Sequence, residues 1–264
     1  MQEGMATHTS HAVAAFSLAG VLAGCAAVQG SEERHAASTG QRAGLRLQLA
    51  SAYYEQGQFE VALQEANQAI ALAPALPEAH GMRALVYAGL RKPLLAEQDF
   101  LYALRLAPHN PELSNNYGQF LCQAGRAAQA MAYFDAALHD GGYASPEKAM
   151  LNAGLCSLSL NDSRRAGAYF TRALAHAPGQ AVALAGLARV HYEQHDYRQA
   201  ALYLERLAAA GNMESQPADV LWLGIKVQHK LGNTDAEAGL AALLRRHHFA
   251  SAEYAAYQSG AFDE

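Results

Sequence analysis

Two histidines four residues apart, His191 and His195, with Glu193 between them, form the pattern nearest to a metal site in this 264-residue chain. On a helix that spacing puts two imidazoles on one face, as zinc requires. The order His-Tyr-Glu-Gln-His is not the HExxH of a zinc hydrolase. The repeat register derived below assigns His191 to inter-helix packing and His195 to a turn. His247 and His248 are adjacent, cannot share a helix face, and read as surface residues. No G-x-S-x-G elbow, phosphate-binding loop or dinucleotide fingerprint occurs, and no Cys/His pair falls together in the register. The expectation is no metal, no cofactor and no catalysis.

The three cysteines carry more chemistry. From Ala12 to Gly24 the chain is almost wholly apolar and small, and Cys25 follows at once. That run is too short to cross a bilayer core of ~30 Å as a helix and fits the apolar region of a secretory signal peptide. Leu22-Ala23-Gly24-Cys25 resembles the bacterial lipobox, in which cleavage before the cysteine precedes its acylation. No Lys or Arg precedes the run, a departure from the usual leader. We expect a signal peptide over 1–24, a lipidated Cys25 and a polar, flexible tether over 25–42. Two or more acyl chains give stable membrane anchoring. The residue after the cysteine is Ala26 rather than Asp, which by resemblance favours the outer membrane, with the chain on its periplasmic face.

The elements that position everything else come from self-similarity. Alanines recur at 62, 96, 130, 166, 200 and 236, spaced by 34 or 36 residues, and Pro74, Pro108 and Pro178 each stand 12 residues past one of them. A 34-residue period of this kind marks the tetratricopeptide repeat, a helix A–turn–helix B unit. Small residues stand where helices A and B must approach: Ala50, Ala84, Gly118, Gly154, Ala188 and Gly224. Tyr53, Tyr87, Phe100, Phe134 and Phe170 fill the gaps, and Gly57 and Gly125 occupy A-to-B turns where a positive φ costs glycine nothing. The predicted fold is all-α: a right-handed superhelical solenoid of about six repeats over 43–250, with 251–264 as a capping segment. Repeat boundaries fall near 43–76, 77–110, 111–146, 147–180, 181–216 and 217–250.

Helices A line the concave side of such a solenoid. The positions expected to face it are Gly44, Leu47, Ser51 and Tyr54 in repeat one, Gly81 and Leu85 in repeat two, and Glu112, Asn115, Gln119 and Cys122 in repeat three. Repeat five offers Arg189 and Tyr192; repeat six offers Leu221, Ile225 and Gln228. Apolar anchors beside amide groups suit a docked peptide or helix. Cys122 and Cys156 lie near the ends of neighbouring helices A, which pack ~10 Å apart. In an oxidising compartment they are either a disulfide or two small buried hydrophobes. A formal charge of −5 and a charged fraction of 16% without a like-charge run give no support for a nucleic-acid surface.

Repeat three reads Leu113-Ser114-Asn115-Asn116-Tyr117-Gly118-Gln119-Phe120-Leu121-Cys122-Gln123, and repeat four contains Asn152-Ala153-Gly154-Leu155-Cys156. These runs resemble the NNYGxFLCQ and NAGLC stretches of the type IV pilus biogenesis lipoproteins, the PilF/PilW family. The lipobox, the six repeats and the ending with Glu253-Tyr254, Tyr257 and Gly260-Ala261-Phe262 agree. The resemblance implies a pilotin: an outer-membrane lipoprotein that binds the secretin subunit and promotes its localisation and assembly. A monomer is the expected state. It brings Asn116 and Asn152 into the candidate groove. The other reading is a repeat scaffold lipoprotein of a different outer-membrane export or assembly complex.

Overall fold

The computed structural model describes the backbone of Met1 and of residues 20–211 and 213–262, and side chains of Met1, 38–211 and 213–262. Thirteen helices follow one another among them: α1 (Gly20–Glu55), α2 (Phe59–Leu72), α3 (Pro77–Gly89), α4 (Pro93–Leu106), α5 (Pro111–Gln123), α6 (Ala127–His139), α7 (Pro146–Ser159), α8 (Ser163–His176), α9 (Ala181–Glu193), α10 (Tyr197–Ala209), α11 (Ala218–Leu231), α12 (Thr234–His248) and α13 (Ala252–Ser259). No strand occurs among the described residues, and no helix there is long and apolar enough to cross a membrane.

Local chemistry sets the boundaries. Pro77, Pro93, Pro111 and Pro146 each open a helix, where a missing N–H costs nothing and φ is already helical. Ala73, Ala107 and Ala177, each directly before a proline, leave the helical region with φ near −138°, −137° and −140°, as the proline ring demands of its predecessor. Asp162, Asp196, Asn110 and Asn233 cap helix starts by accepting from a backbone N–H three residues on. Each A-to-B turn carries one left-handed residue: Gly57, Arg91, Gly125, Asn161, His195 and Gly232.

Successive helices pack as antiparallel pairs, α1 with α2 through α11 with α12. Each helix A also packs closely on the next, in the series α1, α3, α5, α7, α9, α11 and then α13, whereas neighbouring B helices stand further apart and meet through long side chains, as Asp135 of α6 does with Arg165 and Tyr169 of α8. The A helices are thus the closer-spaced row and form the inside of the curve. Ala62, Ala96, Ala130, Ala166 and Ala200 are fully buried on the B helices. A Cβ added at Gly118 would lie 2.8 Å from the Phe134 ring, and one at Gly154 would lie 2.5 Å from Phe170. Contacts that short are not tolerated in a packed interior.

Two expectations change. The backbone over 25–42, expected as a flexible tether, is part of α1. The stretch is rich in Ala, Gln, Glu and Arg, all strong helix formers, and the chain has no proline before Pro74 to stop it. The signal-peptide reading over 1–24 and the side chain of Cys25 lie outside the described residues, apart from Met1 and the backbone of 20–24. His248, read as a surface residue, is half-buried, and its Nε2 donates to the Gln216 carbonyl at 3.0 Å; it ties α12 to the loop before α11.

The Gly154–Phe170 contact is open to test. Gly154→Ala should lose about 1–3 kcal/mol of stability by overpacking. Gly239→Ala in α12, where an added Cβ meets open space, should be neutral or gain up to ~1 kcal/mol. Urea unfolding of the two variants side by side reads this, and a Gly154→Ala protein as stable as wild type would show that the approach does not set the spacing.

Candidate functional site

Two clefts lie side by side on the concave row of A helices. The central cleft, 450 Å³, is lined from repeats one to five by Ser51, Tyr54, Glu55, Met82, Leu85, Glu112, Asn115, Asn116, Gln119, Lys148, Leu151, Asn152, Leu155 and Val182. The second, 510 Å³, lies between repeats four and six, and Leu155 and Val182 border both. Volumes of this size suit a side chain or a short segment of a ligand.

The floor of the central cleft is polar and internally bonded. Asn152 Nδ2 donates to Asn115 Oδ1 at 2.9 Å, and Asn115 Nδ2 donates to Asn116 Oδ1 at 3.3 Å. Asn115 itself is buried, so its amide is committed to this chain and not to a ligand. Glu112 accepts from the Tyr143 hydroxyl at 3.0 Å and lies 3.7 Å from Lys148 Nζ. Burial, and then Glu112, push the Tyr143 hydroxyl well above its ordinary range. Apolar walls stand on either side: Tyr54, Met82 and Leu85 towards the N-terminus, Leu151, Leu155 and Val182 towards the C-terminus. Tyr54 packs on Phe59 at 5.5 Å, and burial raises its hydroxyl pKa.

Directly beneath, α5 is fastened to α7. The sulfurs of Cys122 and Cys156 are bonded, with the Cα atoms 5.8 Å apart, inside the range a disulfide needs. Bond and asparagine pair together brace the same two helices.

The second cleft differs in charge. Its walls include Leu158, Ala185, Gly186, Pro217, Val220, Trp222 and Leu223, and two cations enter it, Arg189 and Lys226. The Lys226 ammonium stands 5.1 Å from the Tyr192 ring centre and 5.7 Å from that of Trp222. Burial, and then the neighbouring Arg189, lower its pKa. Arg189 Nε donates to Glu193 Oε1 at 3.2 Å, and Glu193 also accepts from the Ser163 hydroxyl.

Of the residues expected in the groove, Ser51, Tyr54, Leu85, Glu112, Asn115, Asn116, Gln119 and Asn152 line the central cleft, and Arg189 and Tyr192 line the second. Leu47 lines neither cleft; half-buried, it packs, as Tyr54 and Leu85 also do, against the core formed by Ala50, Ala62, Ala66, Met82 and Val86. Leu221 and Ile225 are fully buried. The reason is a one-residue phase error. The left-handed turn residue of repeat six is Gly232, 37 positions after His195, so the groove face falls on Asp219, Trp222 and Lys226. Leu155 and Lys226 were missed, yet a simple signal finds them. Ser51, Leu85, Gln119, Leu155, Arg189 and Lys226 each stand six positions before a left-handed turn residue, which ends helix A and so fixes its phase. His191 packs on Tyr203 at 5.4 Å, and His195 Nδ1 shares a hydrogen bond with the Tyr197 hydroxyl at 2.9 Å. The two imidazoles are not brought together.

Profiles described as tetratricopeptide repeat match residues 47–111, 82–146 and 157–221. The crystal structure of PilW, described as a widely conserved type IV pilus biogenesis factor, superposes with a TM-score of 0.74 at 33% identity. The match covers 83% of this chain and 99% of that one. The chain belongs to the PilF/PilW family of tetratricopeptide-repeat proteins. The type IV pilus assembly protein PilF of Pseudomonas aeruginosa is 28% identical over 213 residues, 81% of this chain and 83% of its own. Its structure matches with a TM-score of 0.76, covering 84% and 99% of the two chains at 27% identity.

The brace beneath the central cleft gives a prediction. The closed loop spans 34 residues, so Cys156→Ala should cost roughly 3–4 kcal/mol by the loop-entropy argument. Peptide mapping without reductant should recover Cys122 linked to Cys156 from exported protein. An unfolding midpoint that does not move on complete reduction would contradict the brace.

Proposed function

We propose that this chain is a lipid-anchored pilotin: it binds the secretin subunit of the type IV pilus and promotes its outer-membrane localisation and multimer assembly. The signal peptide over 1–24 is removed, Cys25 is acylated, and the repeats over 43–250 project into the periplasm. The work is holding, not turnover. The observation that carries the reading is the central cleft on a chain of this family. It offers a braced row of A helices with apolar walls about a polar floor, and half-buried amides at Gln119 and Asn116. An extended or helical segment can set apolar side chains against Leu85 and Leu151 while its backbone bonds to those amides. A rigid floor keeps the ordering cost on the protein side low. The lipid supplies the membrane address and the cleft supplies the grip.

The test is a deletion strain examined for heat-resistant secretin multimers and for their partition between inner and outer membrane. Multimers should be lost or mislocalised, and wild type but not Cys25→Ala should restore them. Ser51→Glu with Gln119→Glu, both solvent-touching lining positions, should leave a folded, anchored lipoprotein that fails to restore multimers. Normal multimers at the outer membrane without the chain would transfer the function to the alternative, a scaffold of another export or assembly complex.

A further inference from the structure

We propose that the cleft between repeats four and six is a second, separate docking site, for an acidic segment of a partner polypeptide that places an aspartate or glutamate carboxylate beside a bulky apolar side chain. This goes beyond the secretin reading and does not depend on it.

The argument starts from the row six positions before each turn. Read along the concave face it runs Ser51, Leu85, Gln119, Leu155, Arg189, Lys226, so its last two members are adjacent cations on a chain whose formal charge is −5. Arg189 is compensated from within by Glu193, but Lys226 has no ion pair among the described residues. Glu193 lines the same cleft but is engaged by Arg189 and by the Ser163 hydroxyl. Asp219 and Glu253 also line it, yet among the described residues no carboxylate forms an ion pair with Lys226. Its ammonium rests instead over the faces of Tyr192 and Trp222. Aromatic faces hold a cation in place without neutralising it, which leaves its outward N–H donors for an incoming anion.

The same cleft has an apolar wall large enough to take a side chain. Val182, Ala185, Val220, Leu223 and Trp222 border a volume of 510 Å³, and Val182 is exposed although it is aliphatic. Apolar surface beside the unpaired Lys226 ammonium selects an occupant with both characters. A carboxylate alone would bind weakly in water, and an apolar side chain alone would leave Lys226 half-buried and unpaired. Lowering of the Lys226 pKa by burial and by Arg189 means that a carboxylate relieves an existing cost. Continuity with the central cleft through Leu155 and Val182 lets an extended chain enter from the groove, which favours a polypeptide over a small molecule.

The chain's one tryptophan, Trp222, stands in this cleft, so its fluorescence reads occupancy here and not in the central cleft. Seven-residue peptides selected from a random phage-displayed library on the full-length chain in detergent should be enriched in Asp or Glu next to Leu, Phe or Trp. A synthetic tryptophan-free peptide of that consensus should change Trp222 emission saturably. Binding should weaken about tenfold or more when its acidic residues become amides, when Lys226 is replaced in Lys226→Met, and as salt is raised. Lys226→Met keeps an apolar stem, and its circular dichroism and unfolding midpoint serve as the folding control. A selected consensus without acidic residues, equal binding of the amide peptide, or unchanged binding to folded Lys226→Met would overturn the proposal. Decanoate that shifts Trp222 emission more tightly than any selected peptide would also overturn it, assigning the cleft to a fatty acid. Ser51→Glu with Gln119→Glu should leave this signal intact, so failure here and failure of the secretin reading are separable.

Discussion

Phe170 lies with one ring edge against Gly154 and the other against Gly186, so close that neither position has room for a Cβ. One aromatic ring thereby sets two distances: helix B to helix A within repeat four, and repeat four to the next helix A. Phe134 sets the first of these distances against Gly118 one repeat earlier, and Phe100 packs in one cluster with Ala84 and Tyr117 before that. Because each repeat touches only its neighbours, these local spacings add up along the solenoid. The curvature of the concave face is the sum of a few such ring-to-backbone contacts. The clefts exist because helices A are held close while helices B, on the outside, stand further apart.

That constraint explains which parts of the molecule could be read from residues alone. A position that must be small in every repeat leaves a periodic trace, and the alanines at 62, 96, 130, 166 and 200 are all fully buried. The sixth repeat breaks the trace because helix α12 carries alanines at 236, 238, 241 and 242, any of which can be mistaken for the packing residue. In phase with the turn, the packing position is Glu237, which pairs with His229 at 3.1 Å instead of presenting a methyl group. Composition pointed one residue off; backbone geometry did not. A left-handed turn residue ends a helix at a fixed phase whatever its side chain, and Arg91, Asn161 and His195 fill that role without being glycine.

The groove itself was legible to the extent that its residues were polar on a helix that must otherwise bury its faces. Asn115, Asn116, Gln119 and Asn152 stand out for that reason. Their mutual bonding did not, because it depends on two helices from different repeats meeting side by side. Leu155 and Val182 were invisible for the opposite reason. An exposed aliphatic residue on an amphipathic helix has the same appearance in sequence as a buried one, and only the curve of the solenoid decides which it is.

The two halves of the concave face are built for different demands. In the centre, polar groups are bonded to one another, and α5 and α7 are joined through Cys122 and Cys156. Such a floor has little freedom left to lose, so a ligand bound there owes its affinity to shape and to a few outward amides. Towards the C-terminus the bracing is aromatic: Trp222 packs on Phe262 at 5.5 Å and on Tyr257 at 6.5 Å, and His229 stacks on Phe262 at 3.8 Å. The terminal segment therefore closes the open end of the last repeat and at the same time fixes the ring over which Lys226 stands. A capping element that only shielded apolar surface could use any bulky side chain. One that also holds a half-buried cation in an apolar cleft needs an aromatic face at a set angle, and α13 with the residues after it supplies the packing that keeps Trp222 there.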